Sequence, residues 1–307
     1  MISLIEATGL VKDYRAAKAL DDVSLKVDRG EIFGFYGPDG SGKTTLIRAL
    51  CGLTPITSGS AKVMGIDVRK RPLQVRDNVA IMPEDLRFYD EMTPRKFLDV
   101  SARLMLLPKA ERLEALNKAA DLADIRGFID MKIAKLSDVQ KQRVSIARVL
   151  MSDAPLMFLD EPFEGMDIVH RRNMRAHLKE FVKGGNTVFV ASRSLMEADH
   201  LIDRFAFIHQ GKIIATGTVE ELKDRYLAPA MILQVSDPQM TVDLLQKEIR
   251  LANIRLIEGD VSLVLQNRTD APKIPKILTD AGIDIFEMRT AGSMEEVFER
   301  IARGEVA

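Results

Sequence analysis

Eight consecutive residues near the N-terminus have the types and the spacing of a phosphate-binding loop. They follow the apolar run 31–36 and lead into a helical stretch in which Thr45 is expected to contact nucleotide as well. Glycines let backbone N–H groups converge on phosphate oxygens, and a helix N-terminus adds partial positive charge. Lys43 is expected to reach the β- and γ-phosphates and Thr44 to hold Mg²⁺, so we predict a nucleoside triphosphate site rather than a plain glycine-rich turn. The loop consists of Gly37, Pro38, Asp39, Gly40, Ser41, Gly42, Lys43 and Thr44.

A second candidate for chemistry is an acidic pair that ends an apolar run. Residues 156–159 read Leu-Met-Phe-Leu and are followed by Asp160 and Glu161. Such a run is typical of a strand buried on both faces of a parallel sheet, and ligands bind at the carboxyl ends of those strands. Asp160 suits the outer shell of Mg²⁺, and Glu161 suits a general base that activates water. Helix capping or simple solvation is the ordinary alternative, which the phosphate loop upstream disfavours.

The composition limits the class of protein. The chain has 307 residues and a net charge of −1, with no block of like charge that would indicate nucleic acid or an anionic membrane as a partner. Cys51 is the only cysteine, so no internal disulfide forms, and we expect it to be buried. No apolar run approaches the roughly 18 residues of a membrane span, and residues 1–10 lack the pattern of a signal peptide. We therefore expect a soluble, cytoplasmic protein.

A third motif, at residues 136–148, gives the chain a strong resemblance to the ATPase subunit of ABC transporters. It reads Leu-Ser-Asp-Val-Gln-Lys-Gln-Arg-Val-Ser-Ile-Ala-Arg, whereas the family signature is L-S-G-G-Q followed by K-Q-R. The resemblance covers roughly residues 1–220 and implies ATP and Mg²⁺ as cofactors. It implies that Tyr14 stacks on adenine and that Glu84, at a position where many members carry Gln, contacts metal or nucleotide. The remaining nucleotide contacts that it implies are Ser137, Gln140 and Asp167.

Several positions depart from the family pattern. Asp138 and Val139 replace the two signature glycines, which let the backbone of one protomer approach the γ-phosphate held by the other. Ser137 and Gln140 also predict a capping box that starts a helix, whatever their role toward nucleotide. Arg193 occupies the position of the switch histidine, where it either pairs with the γ-phosphate or forms a surface ion pair.

Two further sequence features bear on these departures. His200 lies seven residues beyond Arg193, two helical turns away, and cannot stand in for the missing histidine. Asp39 replaces the more usual Asn of the phosphate loop, although the turn chemistry of the loop is kept.

The motifs and composition divide the chain into an α/β nucleotide-binding domain and a small α+β domain. We expect the first domain to span residues 1–220, with a mostly parallel core sheet and an antiparallel β subdomain. A helical subdomain is expected over 77–135, since Thr93 and Pro94 supply an N-cap and a first-turn proline. A linker is expected at 221–229, followed by an accessory domain at 230–307.

The C-terminal region shows a β-α-β-β-α-β order that predicts a ferredoxin-like module. Its ending, Ser293-Met294-Glu295-Glu296-Val297-Phe298, resembles the accessory domain of one exporter subfamily and contains a predicted capping box at Ser293. The predicted elements are strand 230–235, helix 240–252, strands 254–258 and 261–266, helix 272–281 and strand 283–289.

Two functions remain open at this point. The first is an exporter subunit that binds and hydrolyses ATP at a dimer interface to power a separate integral-membrane permease. The second is a structural or regulatory subunit that binds ATP but hydrolyses it poorly, because of Asp138, Val139 and Arg193. Either protein would form a homodimer, or a heterodimer with a second ATPase subunit, and would be peripheral on the inner face of the membrane through the permease.

Overall fold

A computed structural model describes residues 3–15, 17–152, 154–195 and 201–303. The chain divides into two compact units, Met1–Thr216 and Gly217–Ala307. His200 lies outside the described residues. Among the described residues, no helix is both long enough and apolar enough to cross a membrane.

The core of the first unit is a six-stranded sheet with the order β10-β9-β3-β8-β7-β6. Its pairs from β6 through β7, β8 and β3 to β9 are parallel, as the sequence predicts. Every residue of β3, β7 and β8 is buried, which explains why these strands read as continuous apolar runs. The strands are β3 (Ile32–Tyr36), β6 (Val79–Met82), β7 (Leu156–Asp160), β8 (Thr187–Ser192), β9 (Arg204–His209) and β10 (Lys212–Gly217).

A four-stranded antiparallel sheet, with the order β2-β1-β4-β5, packs its apolar face against the same core. Its long strands alternate buried and exposed residues, as expected for a sheet with one wet face. Cys51 is buried in this core. The strands are β1 (Ser3–Asp13), β2 (Lys18–Asp28), β4 (Ser58–Val63) and β5 (Ile66–Asp67).

The helices of the first unit include a packed group of three, formed by α3, α4 and α5. Thr93 caps α3 and Pro94 is its first residue, as predicted. The predicted helical span 77–135 is wrong at its start, because Val79–Met82 is a strand paired with β7. The periodicity of a four-residue apolar run does not distinguish a strand from a helix, so the pairing with β7 decides which one forms. The helices are α1 (Lys43–Leu50), α2 (Pro72–Arg76), α3 (Pro94–Leu104), α4 (Lys109–Leu122), α5 (Asp138–Leu150) and α6 (Ile168–Lys183).

The second unit has the ferredoxin-like arrangement that the sequence predicts. Its antiparallel sheet has the order β12-β13-β11-β14, and the apolar faces of α8 and α9 bury Leu245 and Leu278 against it. The strands are β11 (Ala230–Val235), β12 (Leu251–Ile257), β13 (Asp260–Leu265) and β14 (Ile285–Thr290). The helices are α7 (Val219–Tyr226), α8 (Pro238–Glu248), α9 (Ile274–Asp280) and α10 (Met294–Ala302).

Three details of the second unit differ from the sequence predictions. Residues 221–229 are not an open linker, because α7 occupies most of them and begins with a Thr218–Glu221 capping box. The helix predicted over 240–252 ends at Glu248, and β12 begins three residues later at Leu251. The capping box at Ser293 is half formed, because the Glu296 carboxylate pairs with Arg300 instead of closing it.

Candidate nucleotide site

The phosphate loop connects β3 to α1 and holds Lys43 at the start of the helix. Lys43 is only 7% exposed, and its Nζ donates to the carbonyl oxygens of Gly37 at 2.8 Å and Pro38 at 3.2 Å. The amide of Gly37 lies 3.3 Å from the carbonyl oxygen of Ser192, at the end of β8. The loop is therefore tied to the carboxyl edge of the parallel sheet, where ligands of such sheets bind.

Glycine is required at Gly37 and Gly42 for steric reasons. A Cβ on Gly37 would stand 2.2 Å from the carbonyl oxygen of Ile208 in β9, and one on Gly42 would stand 2.4 Å from that of Ala19 in β2. Gly42 also has φ +111°, a conformation that side chains with a Cβ rarely adopt. The absence of a side chain at these two positions lets the loop lie close against β9 and β2 before α1 begins.

Asp160 ends β7 beside the phosphate loop. Its side chain is 1% exposed and bonds with the Thr44 hydroxyl, while Oδ1 has no hydrogen-bond partner among the described residues. Burial raises the pKa of Asp160, and the Thr44 bond and Lys43 partly oppose that shift. A buried carboxylate oxygen without a partner, next to a hydroxyl, fits a hard cation such as Mg²⁺.

Glu161 lies next along the chain and is only 4% exposed. Its Oε2 accepts a 2.9 Å hydrogen bond from Ser192, and its Oε1 lies 3.6 Å from Nζ of Lys43. Burial raises the pKa of Glu161, and the Ser192 bond and Lys43 partly offset the effect. A carboxylate with a raised pKa at a ligand-binding edge suits proton transfer.

The backbone of Glu161 is held in a strained conformation. Its φ is +50°, which costs of order 1–3 kcal/mol for a residue with a side chain. The amide of Glu161 donates to the carbonyl oxygen of Ala191, and its carbonyl oxygen accepts from Nε2 of Gln142, both at 2.9 Å. Two neighbouring elements, β8 and α5, therefore fix the direction in which the carboxylate points.

Glu84 follows β6 and lies at a cleft of about 340 Å³. Glu84 is exposed overall, but the cost of desolvating its carboxyl group, followed by repulsion from Asp160 and Glu164, raises its pKa. Glu84 shares this cleft with Glu164, three residues after Glu161. The cleft is lined in part by Glu84, Asp138, Val139, Glu164 and Gly165.

The signature segment begins α5, and its polar side chains serve the helix. Ser137 accepts from the Gln140 amide at 3.3 Å, and Gln140 Oε1 accepts from the Ser137 amide at 2.9 Å. This confirms the predicted capping box. The Asp138 side chain is fully exposed, 3.7 Å from Lys141. Within the described part of the chain, no hydrogen bond or ion pair joins Ser137 or Gln140 to the phosphate loop.

Arg193 follows β8 and joins two acidic groups. Its Nη1 lies 3.3 Å from Oδ2 of Asp39, and its Nη2 contacts Oε1 of Glu164. The carboxylates of Glu164 and Asp39, in that order, raise the pKa of Arg193. Arg193 therefore forms an ion pair, which is one of the two roles that the sequence allowed. One of its partners, Asp39, belongs to the phosphate loop.

The two other predicted contacts lie at element ends. Asp167 caps α6, accepting from the His170 amide at 3.0 Å and pairing with its Nδ1 at 2.5 Å. These bonds lower the pKa of Asp167. Tyr14 is 48% exposed at the end of the β1–β2 hairpin, with Nζ of Lys12 4.5 Å from its ring centroid. Its ring is therefore accessible on the surface of the antiparallel sheet.

Sequence reasoning missed Ser192, Gln142 and Glu164. Ser192 and Gln142 hold Glu161, and Glu164 holds Arg193. Ser192 could have been found from its place at the carboxyl end of a buried strand, next to Arg193. The sequence carries no signal for the other two, since their partners depend on packing between separate elements.

The chain has clear relatives among known proteins. Residues 20–164 match the model of the family described as ABC transporter. The bacitracin transport ATP-binding protein BcrA of Bacillus licheniformis is 29% identical over 309 residues, covering 99% of each chain. The daunorubicin/doxorubicin resistance ATP-binding protein DrrA of Streptomyces peucetius is 31% identical over 279 residues, covering 90% of this chain and 81% of that one.

A solved structure with a similar fold agrees with these relatives. It is described as the ATP-binding subunit of an ABC transporter, with a TM-score of 0.67 and 28% identity, covering 72% of this chain and 92% of that one. The two relatives and this solved structure are all described as ATP-binding. That description agrees with the phosphate loop, the acidic pair and the strand order of this chain. The chain belongs to the ATP-binding subunits of ABC transporters, a family of ATPases.

Proposed function

We propose that this subunit binds Mg²⁺–ATP and hydrolyses it at an interface between two ATPase subunits, to power a separate exporter permease. The observation that carries the proposal is the convergence of Lys43, Asp160 and Glu161 at one edge of the parallel sheet. Lys43 lies 3.6 Å from Glu161, and all three side chains are buried. Such a buried cluster of opposite charges fits phosphoryl transfer, which depends on positioning and electrostatic stabilisation.

Each residue of the site has a separate role in the proposed reaction. Lys43 binds the β- and γ-phosphates, and Tyr14 stacks on the adenine. Thr44 and Asp160, with Glu84 near them, would hold Mg²⁺, which when bound would neutralise charge on the phosphate oxygens. Glu161 accepts the proton of the attacking water, while Ser192 orients its carboxylate.

The second ATPase subunit is proposed from the exposure of the signature segment. Asp138 is fully exposed, and Ser137 is exposed at the start of α5. The N-terminal end of α5 carries partial positive charge that suits a phosphate bound by another protomer. Asp167 caps α6 two residues after Gly165, which lines the same cleft as Asp138 and Val139, so we place it at the same interface.

The permease and the direction of transport are proposed from the relatives and from an apolar surface. The names of the two curated relatives refer to bacitracin transport and to drug resistance. Leu104 and Leu106, which are 79% and 85% exposed, lie at the turn between α3 and α4, with Leu113 on α4 at 65%. This surface is a candidate contact for a permease, which would hold the subunit on the inner face of a membrane.

The alternative, a subunit that binds ATP but hydrolyses it slowly, is favoured by Asp138. Its carboxylate stands at the helix end that would approach the γ-phosphate, where its negative charge disfavours the build-up of charge on the transferred phosphoryl group. The two functions differ in turnover, not in nucleotide binding.

The Glu161→Gln variant tests the proposal. We expect it to bind ATP with wild-type affinity and to release phosphate about 10²–10⁴-fold more slowly, since the general base is lost. ATP should also produce a dimer in light scattering. Glu180→Gln, an exposed residue on α6, is the matched control. Wild-type turnover by Glu161→Gln would remove Glu161 as the base, and absence of ATP binding by the wild type would overturn the proposed function.

A further inference from the structure

Two residues that differ from the usual family choices, Asp39 and Arg193, contact each other although they lie 154 positions apart in sequence. Oδ2 of Asp39 is 3.3 Å from Nη1 of Arg193. The other terminal nitrogen of Arg193 contacts Glu164. The contact therefore joins the phosphate loop, the end of β8 and the loop after Glu161.

Asp39 creates an electrostatic problem for a phosphate loop. Its side chain is 74% exposed and extends from the phosphate loop. A carboxylate on the loop repels every phosphate group of a bound nucleotide, and like charges a few ångströms apart disfavour binding. An arginine that pairs with this carboxylate offsets part of that repulsion, because its positive charge lies beside Oδ2 of Asp39 at 3.3 Å.

We infer that Arg193 is a positioning residue that compensates the charge of Asp39 and so keeps the phosphate loop able to bind nucleotide. Glu164 holds the second nitrogen of the guanidinium and thereby keeps Arg193 beside the loop. The inference rests on the proposed function, since it concerns the same nucleotide site. It assigns to Arg193 a role toward the protein rather than a direct contact with the γ-phosphate.

These two roles predict different behaviour toward ADP. Charge compensation acts on any nucleotide whose phosphates face Asp39, so it affects ADP and ATP alike. A direct contact with the γ-phosphate affects ATP alone, because ADP lacks that group. The two roles also differ in their dependence on Asp39, since compensation has nothing to act on when residue 39 is neutral.

A double-mutant cycle separates these roles. The proteins are the wild type, Arg193→Ala, Asp39→Asn and the double variant, titrated by calorimetry with Mg²⁺–ADP and with a Mg²⁺-bound non-hydrolysable ATP analogue. We expect Arg193→Ala to weaken both affinities about tenfold when Asp39 is present, and less than about threefold when residue 39 is Asn. The Arg193→Lys variant should keep affinity within about threefold of wild type, because it retains the positive charge that offsets Asp39.

Arg289→Ala is the control for removal of an exposed arginine. Arg289 lies in the second unit, 3.4 Å from Glu287, and its loss should leave both affinities unchanged. An equal effect of Arg193→Ala in both backgrounds, or an effect on the ATP analogue alone, would overturn the inference and leave the proposed function standing. If the wild type binds neither nucleotide, both fall.

Discussion

The carboxyl edge of the parallel sheet and the start of α5 carry different parts of the motif set, and they are built in different ways. At the sheet edge, Lys43, Asp160 and Glu161 are buried and bonded to one another or to their neighbours. At the start of α5, Ser137 and Gln140 bond to each other's backbone, and Asp138 is exposed. The first region is organised within one chain, whereas the second is exposed and, in the proposed function, joins a nucleotide site only when a second ATPase subunit covers it.

The comparison shows where a substitution can be tolerated. A buried charge that loses its partner keeps its desolvation cost, so removal of Lys43 affects the whole site, because it leaves Glu161 without its nearest cation. An exposed helix start tolerates a charged residue such as Asp138, because water solvates it. This difference explains how Asp138 occurs in a chain whose sheet edge retains the complete set of charged groups.

Removal of the buried cation is expected to have the largest effect. Lys43→Ala should weaken ATP binding by at least about 100-fold, because it removes the charged donor to the β- and γ-phosphates and leaves Glu161 without its nearest cation. Calorimetric titration with Mg²⁺–ATP measures the change. Lys212→Ala, an exposed lysine in β10, should bind as the wild type does. Unchanged affinity in Lys43→Ala would refute the assignment of this loop to phosphate binding.

Restoration of the signature glycines is expected to have a smaller and opposite effect. Asp138→Gly combined with Val139→Gly should raise steady-state phosphate release about tenfold, because it removes negative charge and side-chain bulk from the helix end proposed to approach the γ-phosphate. Arg193 is left in place because it pairs with Asp39. If the variant is no faster, and the wild type already turns over several times per second, the signature is fully functional as it stands.

The pH dependence of hydrolysis tests the carboxylate at the sheet edge. The pKa of Glu161 is raised above its ordinary value of 4.5, so activity should rise with pH through a limb that lies above pH 4.5. The Ser192 hydrogen bond favours the charged form, so Ser192→Ala should raise the pKa further and move this limb to higher pH. We expect turnover at neutral pH to fall about threefold.

The measurement for Ser192→Ala is the pH profile of kcat. Ser236→Ala removes a serine that accepts a 3.0 Å hydrogen bond in the second unit, and its profile should match the wild type. A limb that stays in place in Ser192→Ala would show that the protonation state of Glu161 does not limit the rate.

The sequence predicts those parts of the molecule that local chemistry determines. The strand, loop and helix around Lys43, the acidic pair at the end of β7 and the capping box at Ser137 each follow from residues that are neighbours in sequence. The family resemblance then supplies the combination of a mostly parallel core sheet with an antiparallel β subdomain, which no periodicity contains.

The remaining features depend on contacts between distant segments. Val79–Met82 is a strand because β7 lies beside it, and the same four residues fit a helix equally well. The positive φ of Glu161 persists because Ala191 and Gln142 hold its backbone groups. The contact between Arg193 and Asp39 likewise arises only when the ends of β8 and β3 are adjacent.

The smallest expected effect concerns the serine N-caps at the starts of α5 and α10. Ser137 and Gln140 bond reciprocally, whereas Ser293 caps alone because Glu296 pairs with Arg300. Ser137→Ala and Ser293→Ala should each destabilise the first helical turn by about 1 kcal/mol, which is about a fivefold loss of amide hydrogen-exchange protection at residues 140 and 296. Gln140→Ala should expose the Ser137 amide to exchange, whereas Glu296→Ala should leave the Ser293 amide unchanged, because only the first box is closed. Equal responses in the two helices would show that the reciprocal bond at α5 adds nothing to the cap, and the order of α5 would then rest on its packing against α3 and α4.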